Sequence, residues 1–260
     1  MTAIILLVLS AAWTCPSCGN SVDEALCPRC LIPAPPSGMA FVPGDTITVD
    51  GVPCSVPSFY VDSAAVSYED ILPWLNGAFE DGEGLAAVIT GQYDENFQFL
   101  RYTPLTGDAS GSGLTVPAAC MELPAASVTL DGARRFLASG GRRLPSAAEL
   151  ALAARHGLVA EVDVFAVMSM YADMMEASMG TMLGRLSTQA MFAGYSTSAE
   201  RVMWEWTGSL PGSPAVVALD ADAPCATLYR SGGTGIADAG SGYFNVAFRG
   251  VVSLPLAASR

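Results

Sequence analysis

Four cysteines near the amino terminus have the residue type and spacing needed to hold a metal ion. They form two C-x-x-C pairs, Cys15-Pro16-Ser17-Cys18 and Cys27-Pro28-Arg29-Cys30. Four thiolates on two such turns can close a tetrahedron around zinc, with Zn–S bonds of about 2.3 Å. Gly19 follows the first pair and permits the positive φ that such a turn usually requires. Because a closed four-sulfur site leaves no position for a substrate, we predict a structural zinc ion here.

The residues that precede these cysteines suggest export. Met1–Ala12 is an apolar run of signal-peptide length, too short to cross a bilayer as a helix, and it ends in small residues. A buried N-terminal strand is the alternative interpretation. Export would place the cysteines in an oxidising compartment, where two disulfides could form instead of a zinc site. The close paired spacing favours zinc. We predict an extracytoplasmic protein, periplasmic or secreted, without a transmembrane span.

Composition and charge restrict the remaining classes of function. The chain has 260 residues, of which 51% are hydrophobic and 14% charged, so it can bury a core as one large domain with a small appendage. Its 25 acidic and 12 basic residues give a net charge of -13, which repels nucleic-acid phosphates. We therefore exclude nucleic acid as a partner. The single histidine, His156, is expected to lie on the surface or to cap a helix, and it cannot supply a multi-histidine metal site.

Composition shifts divide the chain into four regions. Residues 1–12 are the predicted signal peptide, and residues 13–32 form a ribbon-like zinc segment. A proline-rich stretch at 33–38 predicts an extended linker, and a main domain follows at 39–257. Within that domain, Met168–Met182 is rich in methionine, which indicates buried helices, with a soft binding groove as the alternative.

Local patterns predict several elements of the main domain. Alternating residues around Pro43-Gly44 predict an opening hairpin, and a short helix is expected at Tyr68–Leu75. Leu130–Ala138 is predicted to form an amphipathic helix that ends at two glycines. Ala147–Arg155 reads as a second helix, because Ser146 and Glu149 have the S-x-x-E spacing of a capping box.

Five blocks of the main domain together resemble the formylglycine-generating, or sulfatase-modifying factor, family. The blocks are Gly38–Asp45, Ser58–Asp62, Pro124–Arg155 with G-R-R-L-P-S-A-A-E at 141–149, Trp204-Glu205-Trp206, and Asn245–Arg249. The resemblance covers most of residues 39–252. It implies an α+β, C-type-lectin-like fold with little regular secondary structure.

The resemblance also implies a chemistry that this chain does not fully match. Family oxidases use two cysteines in the C-terminal part of the domain, with copper, to convert a substrate cysteine to formylglycine. Only Cys225 lies in that part of this chain, whereas Cys54 and Cys120 come earlier. We therefore predict a non-catalytic binding or interaction module for a protein, a peptide or a glycan. The alternative is a copper-dependent oxidase that uses Cys225 with another thiol.

Calcium is a further expectation that comes from the family. Its members often bind this ion through loop oxygens near the Trp-Glu-Trp and C-terminal blocks. Asp220, Asp222 and Asp238 lie in the corresponding part of this chain and carry the hard oxygen ligands that calcium prefers. Solvated loop carboxylates are the alternative interpretation of the same residues.

Overall fold

The computed structural model describes residues 12–80, 106–107, 114–161, 163, 203–208, 225–230, 233–243 and 245–254. The described helices are α1 (Tyr68–Glu80), α2 (Leu130–Ser139) and α3 (Ala147–Arg155), with a 3-10 turn at Ala118–Cys120. The described strands are β1 (Trp13–Thr14), β2 (Ser21–Val22), β3 (Met39–Val42), β4 (Asp45–Val49), β5 (Val52–Val56), β6 (Phe59–Asp62), β7 (Thr106–Gly107), β8 (Leu114–Thr115), β9 (Trp204–Trp206), β10 (Cys225–Arg230), β11 (Gly233–Asp238), β12 (Val246–Ala247) and β13 (Val251–Ser253). The fold is therefore α+β, as the sequence predicts. Most of the predicted signal peptide, residues 1–11, and the methionine-rich segment 168–182 lie outside the described residues.

Two sheets form the framework of the main domain. In the first, β6 lies between β3 and β13 and pairs antiparallel with both, which brings the two ends of the domain together. In the second, the strand order is β11-β10-β9-β12, and the β9–β12 pair is parallel. The shorter pairs are β1–β2, β4–β5 and β7–β8. Within the described residues, no helix has the length and apolar character needed to span a membrane.

The predicted opening hairpin is wrong in its pairing. The strands on either side of Pro43-Gly44 do not pair with each other, because β3 pairs with β6 and β4 pairs with β5 across the Asp50-Gly51 turn. Gly44 lies against the backbone that enters β6, and a Cβ atom there would be only 2.8 Å from the Ser58 amide nitrogen. The Pro-Gly pair therefore lies where the chain passes close to the backbone between β5 and β6, and it does not form a hairpin turn.

The helices follow their local sequence signals closely. The capping box of α3 is present, since the Ser146 hydroxyl accepts from the Glu149 amide and the Glu149 carboxylate accepts from the Ser146 amide. Thr129 caps α2 through its hydroxyl. The first helix, α1, continues to Glu80, past its predicted end at Leu75. Asn76 explains part of this difference, because its side chain bonds both the amide and the carbonyl of Leu114.

Two apolar clusters fill the space between these elements. The larger cluster joins α1 and α2 to the second sheet and includes Trp206 and Phe248, both fully buried. The smaller cluster joins α3 to one face of the first sheet and includes Phe59, Val61 and Leu152. Buried apolar area of this kind contributes about 25 cal/mol for each Å² removed from water, so both clusters are major sources of stability.

Candidate metal centre

The four predicted zinc ligands meet at one point in the structure. The sulfur atoms of Cys15, Cys18, Cys27 and Cys30 all lie within 4.8 Å of one another. The Sγ atoms of Cys18 and Cys27 are 3.7 Å apart. A zinc tetrahedron with 2.3 Å bonds has sulfur–sulfur edges of about 3.8 Å, whereas a disulfide requires about 2.05 Å. The donor set is thus shaped for one tetrahedral metal ion, and it is compatible with structural zinc.

The backbone builds this site as two copies of one knuckle. In the first, the Gly19 amide donates to the Cys15 carbonyl, and the Cys15 amide donates to the Asn20 carbonyl. In the second, Leu31 donates to Cys27 and Cys27 donates to Ile32 in the same way. Antiparallel pairs close both copies, Thr14 with Ser21 and Leu26 with Pro33. The sequence spacing therefore encodes a repeated turn, each copy of which presents two thiols.

The environment of Cys27 favours the thiolate form that binds metals. Burial raises the pKa of this thiol, but hydrogen bonds from the Cys30 and Arg29 amides and from the Cys15 and Cys18 thiols outweigh that effect. The pKa is lowered to about 7. Since metal binding displaces the proton of each thiol, a group that is already partly ionised near neutral pH binds metal more readily.

Leu31 occupies a backbone conformation that suits glycine. Its φ is 56°, while Gly19 at the equivalent position of the first knuckle has a φ of 71°. A left-handed conformation costs an L-residue about 1 kcal/mol relative to glycine. Leu31 is also 56% exposed, so little packing offsets this cost. The sequence pattern gave no warning of this strained position.

We therefore expect opposite effects from two substitutions at these matched positions. Leu31→Gly should stabilise the metal-bound segment by up to about 1 kcal/mol, and Gly19→Ala should destabilise it by about the same amount. A Cβ atom on Gly19 would meet nothing within 4 Å, so the second effect is conformational and not steric. Thermal melting of the zinc-loaded protein measures both changes. Equal melting temperatures for the two variants would contradict the interpretation.

The segment that carries the cysteines is attached to the main domain. The predicted linker is bonded on both sides, because Pro33 pairs with Leu26, the Ala34 amide donates to the Ala25 carbonyl, and the Tyr60 hydroxyl donates to the Pro33 carbonyl at 2.7 Å. Burial, and secondarily the charge of Cys15, raises the pKa of Tyr60 to about 12. The proline content of residues 33–38 predicts an extended backbone, but it does not show which residues form hydrogen bonds with that backbone.

The structure describes only some of the predicted catalytic and calcium residues, and for Cys225 it describes only the backbone. Cys225 begins β10 opposite Asp238, Cys54 lies on β5, and Cys120 is buried in the 3-10 turn, where burial raises its pKa. The Asp238 carboxylate accepts hydrogen bonds from the Gly240 amide and the Ser241 hydroxyl and so closes its own turn. The other two predicted calcium ligands, Asp220 and Asp222, lie outside the described residues.

Polar residues from four of the five sequence blocks are bonded to one another. Arg249 is fully buried and binds both oxygens of Glu205, at 2.7 and 2.6 Å. It also donates to the carbonyl of Asp62. The Asp62 carboxylate accepts from Arg142 at 2.8 Å and from the Gly250 amide at 2.7 Å. Burial raises the pKa of Asp62, an effect that these donors oppose.

An open groove lies between the β4–β5 hairpin, α3 and the β10–β11 hairpin. It encloses about 590 Å³, and its apolar lining comes mainly from Ile47, Val49 and Val159. Asp50, Arg155, Glu161 and Tyr229 contribute polar groups. Burial, followed by the charges of Glu161 and Glu205, raises the pKa of Tyr229. A groove of this volume can hold a short peptide segment or a small molecule.

Comparison with known proteins adds no assignment to these sites, because no protein-family model matches the sequence and the search of curated proteins gives no significant match.

Proposed function

We propose that the main domain is a binding module built on a diverged formylglycine-generating-enzyme scaffold, with the zinc-binding segment as a structural accessory. The polar residues that carry the sequence resemblance support the scaffold part of this proposal. Asp62, Arg142, Glu205 and Arg249 come from different blocks and share one hydrogen-bonded network. These blocks are far apart in the sequence, but their polar side chains hold one another in place in the fold. The C-type-lectin-like arrangement and an extracytoplasmic location belong to the same proposal.

The groove is the observation that carries the binding role. Its charged lining is acidic, because Asp50 and Glu161 form no ion pair within the described residues, whereas Arg155 is paired with Asp45. The net charge of -13 adds a long-range attraction for cations. The apolar side chains of Ile47, Val49 and Val159 can contact aliphatic side chains at the same time. We therefore expect a peptide segment of another protein that combines basic and aliphatic residues, and a glycan is the competing ligand.

A substitution that fills the groove tests this role. Ala151 lines the groove on α3, and Ala138 is an exposed alanine on α2 outside it. Purified wild-type protein is used to select from a random dodecapeptide phage library and, in parallel, to probe a glycan array. We expect selected peptides to be rich in Lys or Arg. Ala151→Trp should weaken their binding at least about 10-fold, since a filled cavity removes most buried contacts, while Ala138→Trp should not.

The outcomes separate the proposal from its alternatives. Peptide binding that survives Ala151→Trp would place the site elsewhere, and selection from the glycan array alone would replace the peptide by a sugar. The oxidase alternative predicts copper- and oxygen-dependent conversion of a cysteine-containing peptide to formylglycine. Such turnover, abolished by Cys225→Ser, would overturn the non-catalytic proposal.

A further inference from the structure

The central strand of the first sheet, β6, is buried on both of its faces. All four residues of β6 are buried, although neighbouring side chains of a strand point to opposite faces. Phe59 and Val61 pack against α3 in the smaller apolar cluster. Tyr60 points to the other face, where its ring lies edge-on to Phe41 with centroids 5.8 Å apart. This face is the one that meets the zinc-binding segment, through the Tyr60 hydrogen bond to Pro33.

A short series of contacts connects the metal ligands to Tyr60. The Cys27 amide donates a hydrogen bond to the Ile32 carbonyl across the second knuckle. The neighbouring residues Leu26 and Pro33 form an antiparallel pair. The Pro33 carbonyl then accepts the Tyr60 hydroxyl. Each step is a hydrogen bond or an antiparallel pairing, and Leu26 and Pro33 are the chain neighbours of Cys27 and Ile32. The position of the Pro33 carbonyl therefore depends on the knuckle that the metal closes.

We propose that metal binding at the four cysteines stabilises the main domain, through the contact between Tyr60 and Pro33. Without the metal, no bond joins the four thiols of the two knuckles. Small structural metal sites commonly unfold when the metal is removed. The pairing of Leu26 with Pro33 is then lost. Tyr60, which is fully buried, would then lose the acceptor of its hydroxyl hydrogen bond. The metal is thus a stabilising ligand for elements distant from it in the sequence.

The tryptophans allow the main domain to be monitored alone. The chain has four of them, and Trp13 is the one in the zinc-binding segment. In a Trp13→Phe background, emission from Trp74, Trp204 and Trp206 reports on the main domain. The full chain is loaded with zinc, its metal content is measured, and its melting temperature is recorded with and without the zinc chelator TPEN, with calcium present throughout. We expect chelation to lower the main-domain melting temperature by about 5 °C.

Two tyrosine variants in the same background test the route. Tyr60→Phe removes the hydroxyl that reaches Pro33, so the chelator-induced shift should fall to less than half. Tyr68→Phe is the matched control, because the Tyr68 hydroxyl is also buried and donates to the carbonyl of Ala126, in the larger apolar cluster. This control should lower the starting melting temperature but retain the full shift. An unchanged melting temperature after chelation, no bound zinc, or a full shift in Tyr60→Phe would each overturn the proposal.

Discussion

Substitution of Cys27 by Ser is expected to weaken zinc binding by at least about 100-fold. Loss of an outer-shell partner of a metal ligand typically costs 10- to 100-fold in affinity, and loss of a direct ligand should cost more. Cys27 is fully buried, and its lowered pKa makes it a ready thiolate donor. The measurement is zinc content by inductively coupled plasma mass spectrometry, followed by competition with a chelator of known affinity. Wild-type protein should retain one zinc ion per chain.

Cys54→Ser is the matched control for this experiment. Cys54 lies on β5, and its thiol interacts with the Val52 carbonyl, so it is outside the cluster. Zinc content should be unchanged in this variant. The disulfide alternative makes the opposite prediction, because it requires two S–S bonds and no metal. A mass four hydrogens below that of the reduced chain, together with zinc-free wild-type protein, would establish disulfides and exclude the metal site.

Glu205→Gln is expected to lower the free energy of unfolding by about 3–5 kcal/mol, the usual cost of removing one partner of a buried ion pair. Arg249 has no exposed surface, and the Glu205 carboxylate accepts two of its N–H groups. Glutamine would leave the positive charge buried without its counter-charge and would direct an amide N–H group toward a guanidinium N–H group. The measurement is urea unfolding monitored by tryptophan emission, because Trp204 and Trp206 flank the substituted residue.

The exposed ion pair on α2 provides the comparison. Arg135 and Asp131 are 2.7 Å apart, but their side chains are 52% and 56% exposed. Asp131→Asn should therefore cost less than about 1 kcal/mol. Replacing both Arg249 and Glu205 by Met should recover part of the loss, because the double variant buries no unpaired charge. A cost for Glu205→Gln no larger than for Asp131→Asn would show that the buried pair does not stabilise the fold.

Cys27→Ser and Glu205→Gln affect different regions of the chain. The first tests a local site whose ligands are close in sequence, and the second tests a tertiary bond between strands of the main domain. The Tyr60 experiment asks whether the two parts are linked. If they are linked, zinc loss alone should change the main-domain emission, although Glu205 makes no described contact with the cysteines.

The features that the sequence predicted correctly depend on near neighbours in the chain. Two C-x-x-C turns bring their sulfurs together, because each turn fixes its own pair and the connector is short. The capping box at Ser146 is likewise a pair of local hydrogen bonds across three residues. Such interactions are encoded in a few consecutive residues, so their geometry follows from the sequence itself.

Other features were decided only when distant segments met. The residues around Pro43-Gly44 fit a hairpin by local pattern, yet β3 pairs with β6, since this arrangement buries both faces of the central strand. Arg249 finds Glu205 through the parallel pairing of β12 with β9, which no local spacing indicates. The contact of Tyr60 with Pro33 and the groove beside α3 have the same origin. Which strands pair and which side chains are buried depends on the free energy of the whole chain. A short sequence pattern does not determine that free energy.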